Sequence, residues 1–254
     1  MGEVVVSHVS KTYGRGRRSV LAVDDVSFTA AEGKTLAIIG ESGSGKSTLG
    51  RLVLGAERAD QGEVRRGGQV VSSGGKADAS RQDASLVLQE PELALNPRMT
   101  VGEIVMEPLN IHNRSLSRDE RRERGQRALD RVHLGPELWG RYRSQLSGGQ
   151  QQRVGIARAI ISEPRFVVLD EPTASLDLSV RGKVLDTLKQ LQEEMGLTYV
   201  LITHDMATVS ALADDVVVLR HGRVVETGAW SRVRREPEDD YTKRLLSSVL
   251  AVHR

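Results

Sequence analysis

The sequence predicts an α/β fold around a mainly parallel sheet, and three observations carry that prediction. Short β-branched and aliphatic runs recur along the chain with helical stretches between them, the rhythm of βαβ units. The run Phe166-Val-Val-Leu169 is apolar at every position, as in a strand covered on both faces; a half-exposed strand would alternate. Residues 100–145 break the rhythm, with few β-branched runs and many helix formers, which marks a helical subdomain inserted into the α/β domain.

In chain order, Val4–Val9 and Thr35–Ile39 are predicted strands, and a helix is predicted from Lys46 to Leu54. Gly67–Asp83 is polar and rich in Gly and Ser, hence a predicted loop. Ser85–Leu88 is the next strand. In the helical middle, Ser117-Arg-Asp-Glu120 has the spacing of a capping box and starts a charged helix. Phe166–Leu169 and Tyr199–Ile202 are strands, and Val216–Leu219 with Arg223–Glu226 forms a hairpin around His221-Gly222. Tyr241–Val252 carries Leu245, Leu246, Val249 and Leu250 at helical spacing and is expected as a docked terminal helix.

The 254 residues, 39% of them apolar, suffice for one large α/β domain with its own core. The absence of cysteine excludes a disulfide scaffold, a thiolate zinc site and an iron–sulfur cluster. A formal net charge of +2 gives no general drive toward nucleic acid. Basic clusters stand at Arg15–Arg18, Arg121–Arg127 and Arg232–Arg235; they read as solvated faces, the second being interleaved with acids. The start, Met1-Gly-Glu-Val-Val-Val, lacks the form of a secretory signal. No apolar run approaches the roughly 18 residues needed to cross a bilayer, so membrane contact is expected only through a partner.

The most specific local pattern is Gly40-Glu41-Ser42-Gly43-Ser44-Gly45-Lys46-Ser47-Thr48, a full match to the phosphate-loop spacing, entered by a strand and left by a helix. Glycines let backbone N–H groups close on a triphosphate, and the helix adds its positive end. Lys46 supplies a point charge for the β- and γ-phosphates, and Ser47 a hydroxyl for Mg²⁺. A Gly-rich turn with a chance Lys-Ser is the bland alternative. Asp170-Glu171 ends an apolar strand, where an unpaired carboxylate is costly; Mg²⁺ is the candidate partner of Asp170, and Glu171 the candidate base, or the group that orients the attacking water.

Leu146-Ser147-Gly148-Gly149-Gln150, continuing into Gln151-Gln152-Arg153, resembles the hallmark LSGGQ of the ATP-binding cassette family. By the same physics it is a second anion-facing loop, opening a helix with Val154, Ala157 and Ile161 on one face. The resemblance spans nearly the whole chain. It implies a P-loop NTPase-type, mainly parallel sheet core with an N-terminal antiparallel β part (residues 1–99 and 146–230), a helical subdomain (100–145) and a C-terminal helical tail (231–254). It also implies ATP hydrolysis with Mg²⁺. Two cassettes pack head to tail in the family, so each ATP lies between one subunit's Gly40–Thr48 and its partner's Ser147–Gln150.

Further matches follow in family order. Tyr13 resembles the aromatic that stacks on adenine. Gln89 resembles the residue that reaches metal and attacking water. His204 resembles the switch that contacts the γ-phosphate. Asp177, in Ala-Ser-Leu-Asp where Ser-Ala-Leu-Asp is commoner, resembles the loop linking the two sites. Each residue type alone, at a strand or turn end, is more often structural.

The stretch Ala94-Leu-Asn-Pro-Arg-Met-Thr-Val101 and the tail Tyr241-Thr242-Lys-Arg-Leu245-Leu246 resemble the peptide and nickel importer branch. That implies a peripheral subunit at the cytoplasmic face of the membrane, working with a second cassette (identical or different), transmembrane permeases and, indirectly, an extracellular or periplasmic solute-binding protein. Exporters and cassettes acting on DNA or ribosomes are the alternatives within the family. The non-transport kind carries tandem cassettes or long coiled-coil insertions, and neither stands here.

Overall fold

A computed structural model describes residues 2–14, 16–73, 83–113 and 115–250. Its elements run β1 (Val4–Tyr13), β2 (Val20–Ala30), β3 (Thr35–Ile39), α1 (Lys46–Val53), β4 (Gln61–Arg66), β5 (Gln69–Ser73), β6 (Ala84–Val87), α2 (Pro91–Ala94), α3 (Val101–His112) and α4 (Arg118–Arg131). There follow α5 (Gly148–Ile160), β7 (Phe166–Asp170), α6 (Leu178–Met195), β8 (Thr198–Ile202), α7 (Met206–Leu212), β9 (Asp215–Arg220), β10 (Arg223–Ala229), α8 (Trp230–Arg235) and α9 (Asp240–Leu250). They divide into two compact units, Met1–Arg81 with Thr198–Arg254, and Gln82–Leu197.

In the first unit β3 lies between two parallel partners, Leu36 pairing with Val200 of β8 and with Asp215 of β9. Both β3 and β8 are buried at every position, which is why their sequences do not alternate. The predicted hairpin is present, β9 and β10 pairing antiparallel around His221 and Gly222, which take φ of 48° and 80°. A second, antiparallel sheet has the order β2-β1-β4-β5.

That second sheet is the antiparallel β part the resemblance implied, and it holds more than the one strand read at Val4–Val9. β1 runs on to Tyr13 through register shifts, with His8 and, across from it in β2, Asp25 in the left-handed region; such bulges break the two-residue period. β4 buries only Val64 and Arg66 fully, so its sequence reads as polar. β5 lies inside the predicted loop Gly67–Asp83: its buried Ser72 accepts from the Ala59 N–H and donates to the Glu57 carbonyl, which satisfies a polar side chain inside a strand. Residues 74–82 of that predicted loop lie outside the described residues.

In the second unit β6 and β7 pair in parallel, Val87 opposite Leu169. The middle is helical as expected. α3 and α4 both start with capping boxes, Thr100 with Glu103 and Ser117 with Glu120. Trp139 fills the space over two helical glycines; an added Cβ at Gly102 or Gly125 would lie 2.3 or 2.8 Å from its ring. α5 turns Val154, Ile156, Ala157 and Ile160 into the core. The terminal helix is present as α9, with Leu246 buried; Val252 lies outside the described residues.

Candidate functional site

The phosphate loop is shaped by crowding as much as by turn preference. At Gly40 the chain leaves buried β3 with φ 152°, and an added Cβ would lie 2.2 Å from the Leu219 carbonyl oxygen. At Gly45, φ 105°, a Cβ would lie 2.2 Å from the Ala22 carbonyl oxygen. Only glycine fits either place. α1 then begins at Lys46 with no side chain capping it, so its N-terminal N–H groups are presented by the loop itself. Lys46, 8% exposed, folds back so that its Nζ donates to the carbonyls of Gly40 and Glu41, 2.8 Å each. Glu41, Ser42, Gly43 and Ser47 are exposed, while Ser44 and Thr48 are buried.

The loop is braced from outside within its own unit. The Gly222 N–H donates to the Ser44 carbonyl and the Asp24 N–H to that of Gly222, both at 2.9 Å. The Glu41 N–H donates to the Tyr241 hydroxyl oxygen of α9, also at 2.9 Å. Because Ile38 of β3 pairs with Ile202 of β8, the loop and exposed His204 leave the same carboxyl edge of neighbouring strands, the edge at which parallel sheets bind ligands. Asp205 beside it caps α7. Tyr13 closes β1, half-buried; its hydroxyl donates to the Glu57 carboxylate and the Lys11 ammonium stands 5.7 Å from its ring centre.

The second unit gathers the other predicted residues. The β6–β7 pairing sends Gln89 and Asp170-Glu171 off one carboxyl edge, and the Ser175 hydroxyl donates to the Gln89 carbonyl at 3.4 Å. Asp170 and Glu171 are half-exposed, and Glu171 takes φ 48°. A left-handed glutamate costs on the order of 1 kcal/mol, so the surroundings hold this side chain where local preference does not. Ser147 caps α5, accepting from the Gln150 N–H while Gln150 accepts from the Ser147 N–H. Ser147 and Gly148 face outward. Gly149 is buried, and a Cβ there would lie 2.2 Å from a Val180 methyl. Asp177 caps α6, and the Ser179 hydroxyl, with the Val180 N–H, holds its carboxyl below the usual aspartate value. Leu178 beside it is 82% exposed.

For a metal, Ser47, Gln89 and Asp170 offer hard oxygen donors. Oxygen donors of this kind are what Mg²⁺ takes, together with waters and phosphate oxygens; among the described residues there is no group of three or more His, Cys, Asp or Glu that could hold a metal ion. The second unit also bears a 440 Å³ cavity lined by Leu86, Leu88, Leu93 and Pro97, with Arg158 and Glu107 paired at 2.9 Å beside them. Among the described residues no helix is long and apolar enough to cross a membrane.

Sequence reasoning missed Glu57 beside Tyr13, and it named the His221-Gly222 turn and Tyr241 without their bracing of the phosphate loop. Each of these contacts joins residues far apart in sequence, and no local pattern marks the contact.

The ABC transporter family model matches residues 23–174. The chain is 46% identical over 235 residues to the peptidoglycan transport ATP-binding protein YejF of Agrobacterium fabrum, covering 92% of this chain but only 43% of that protein. It is 43% identical over 235 residues to the oligopeptide transport ATP-binding protein OppF of Salmonella typhimurium, covering 91% of this chain and 70% of that one. Among solved structures it resembles the ATP-binding cassette MJ0796, a dimer in a post-hydrolysis state bound to ADP and phosphate, with TM-score 0.79, 33% identity, and coverage of 89% and 98%.

Proposed function

The chain belongs to the ABC transporter family and is an ATP-hydrolysing subunit, and from that premise we propose that it powers the import of peptides through separate membrane subunits. The observation that carries the ATP site is Lys46, folded over a loop that only glycines can form, its ammonium 2.8 Å from the Gly40 and Glu41 carbonyls. The peptide assignment is supported by relatives named for oligopeptide and dipeptide transport and by the Ala94–Val101 stretch.

In this reading Tyr13 stacks on adenine, and Gly40–Thr48 wraps the phosphates. Lys46 neutralises charge on the β- and γ-phosphates. Ser47, Gln89 and Asp170 are the residues that would hold Mg²⁺, which would supply further neutralisation of the triphosphate. Glu171 takes the proton of the attacking water, with Gln89 and His204 orienting water and γ-phosphate. Ser147, Gly148, Gly149 and Gln150 meet the nucleotide held by a second cassette, and Asp177 links the two sites. The exposure of Ser147, Gly148 and Leu178 supports such a contact, because an apolar side chain open to water favours being covered. ATP binding then closes the pair and hydrolysis releases it.

The cavity beside Leu93 and Pro97 is the seat we assign to a cytoplasmic helix of the permease, next to Gln89 and the helical subdomain of residues 100–145. In this reading the chain works at the cytoplasmic face of the membrane, with a solute-binding protein acting indirectly. The test is peptide uptake and ATP turnover in cells carrying the intact system. The Lys46→Ala variant is expected to lose both, and the purified variant to bind ATP weakly. Undiminished uptake of peptides with turnover abolished contradicts the import role; undiminished ATP binding contradicts the site.

A further inference from the structure

The tail bearing Tyr241 has no part in the chemistry above, yet it reaches the phosphate loop. Tyr241 is 4% exposed and stands at the start of α9. Its hydroxyl oxygen accepts the Glu41 N–H at 2.9 Å, across 200 residues of sequence. Glu41's carbonyl in turn accepts from Lys46 Nζ at 2.8 Å. One loop residue is therefore held at both ends, by the tail and by the phosphate-binding lysine.

Tyr241 is itself immobilised. The Arg220 guanidinium stands 5.1 Å from its ring centre. Asp239 accepts from the N–H groups of Tyr241 and Thr242 at 2.8 and 3.3 Å, capping α9. Buried Glu226 of β10 accepts from the N–H groups of Glu238 and Asp239 at 3.0 and 3.1 Å. A continuous path of hydrogen bonds and covalent chain thus runs from β10 through Asp239 and Tyr241 to Glu41 and Lys46. Glu41, Ser42 and Gly43 are themselves exposed.

We propose that Tyr241 is a positioning residue for ATP binding: its hydroxyl fixes the Glu41 peptide, and through that carbonyl the ammonium of Lys46. The inference rests on Gly40–Thr48 being the ATP site. Removing the hydroxyl leaves the Glu41 N–H without its acceptor, so that peptide turns more freely and the Lys46 anchor moves with it. Ordering the loop then opposes nucleotide binding, while the groups that manage the attacking water are untouched.

Tyr241→Phe keeps the ring and removes only the hydroxyl. It is compared with the parent chain, assembled with its permease, for ATP affinity, KM, kcat and amide exchange. The expected result is ATP Kd and KM raised about three- to tenfold, the effect of one hydrogen bond, with kcat within about twofold. Exchange of the Glu41 amide accelerates while the amides of β3 do not. Unchanged affinity in Tyr241→Phe beside weakened binding in Lys46→Ala overturns this role alone. Unchanged affinity in both overturns the ATP-site reading beneath it. Faster exchange throughout β3 marks a general packing role and also overturns it.

Discussion

Two glycine-bearing loops, Gly40–Thr48 and Ser147–Gln150, each open a helix, and they are built in opposite ways. In the first, Gly40, Gly43 and Gly45 take positive φ, carbonyl oxygens crowd two of them, and no side chain caps α1. In the second, Gly148 and Gly149 are the first residues of an ordinary helix whose cap is closed by Ser147 and Gln150. The first loop leaves the N–H groups of its helix to a ligand and borrows its rigidity from Ala22, Leu219, Gly222 and Tyr241. The second satisfies its own backbone and offers a finished, exposed face. The contrast supports the proposal that a triphosphate is gripped by the first and completed by the second, from another copy.

The largest expected effect separates the glycines. Gly45→Ala forces a Cβ against the Ala22 carbonyl at a left-handed position, and ATP hydrolysis should fall by at least about 10². Gly148→Ala meets nothing nearer than a Leu176 methyl at 4.0 Å, so its melting temperature should match the parent's. Equal losses of fold in both variants would break the comparison. Next, Glu171→Gln should retain ATP while turnover falls about 10²–10³; steady-state hydrolysis and equilibrium nucleotide binding, measured together, check it. Ser147→Ala should cost about 1 kcal/mol of stability through the lost cap, seen in denaturant melts, with ATP still binding to the variant's own first loop.

The smallest effect is a response to acid. Burial pushes the Glu226 carboxyl up, but the N–H groups of Glu238 and Asp239, with Arg232 nearby, outweigh it and hold the group below its usual value. A depressed carboxyl contributes stability above its unfolded value of about 4.3 and loses it as pH falls through the folded one. The bracing of the first loop should therefore loosen below about pH 4.3. The cap of the second, made of Ser147 and Gln150, has no titrating group. Thermal melts of the parent and Glu226→Gln across pH 3 to 6 should converge at the acid end; parallel curves would show that Glu226 does not brace the tail.

Much of this was legible in the sequence because the chemistry is local. The loop 40–48, the cap at Ser147 and the acid pair after Phe166–Leu169 are each written in consecutive residues, and buried parallel strands announce themselves by unbroken apolar runs. The resemblance implied an antiparallel part, but its strands were not legible one by one: β4 sets its buried Val64 between Glu63 and Arg65 and buries a charged residue, Arg66, and β1 and β2 interrupt their period with bulges. The left-handed Glu171 left no trace either, since no glycine marks it. The hydrogen bond from Glu41 to Tyr241 joins residues 200 apart, a distance over which sequence pattern carries no signal.

In the proposed mechanism the first loop binds ATP and the second closes over the ATP of a neighbouring cassette. Native mass spectrometry of Glu171→Gln, assembled with its permease and given ATP and Mg²⁺, tests it most directly. The account predicts paired cassettes retaining two ATP molecules, with pairing lost when Ser147→Arg is added. Full ATP occupancy on single cassettes that never pair would contradict it.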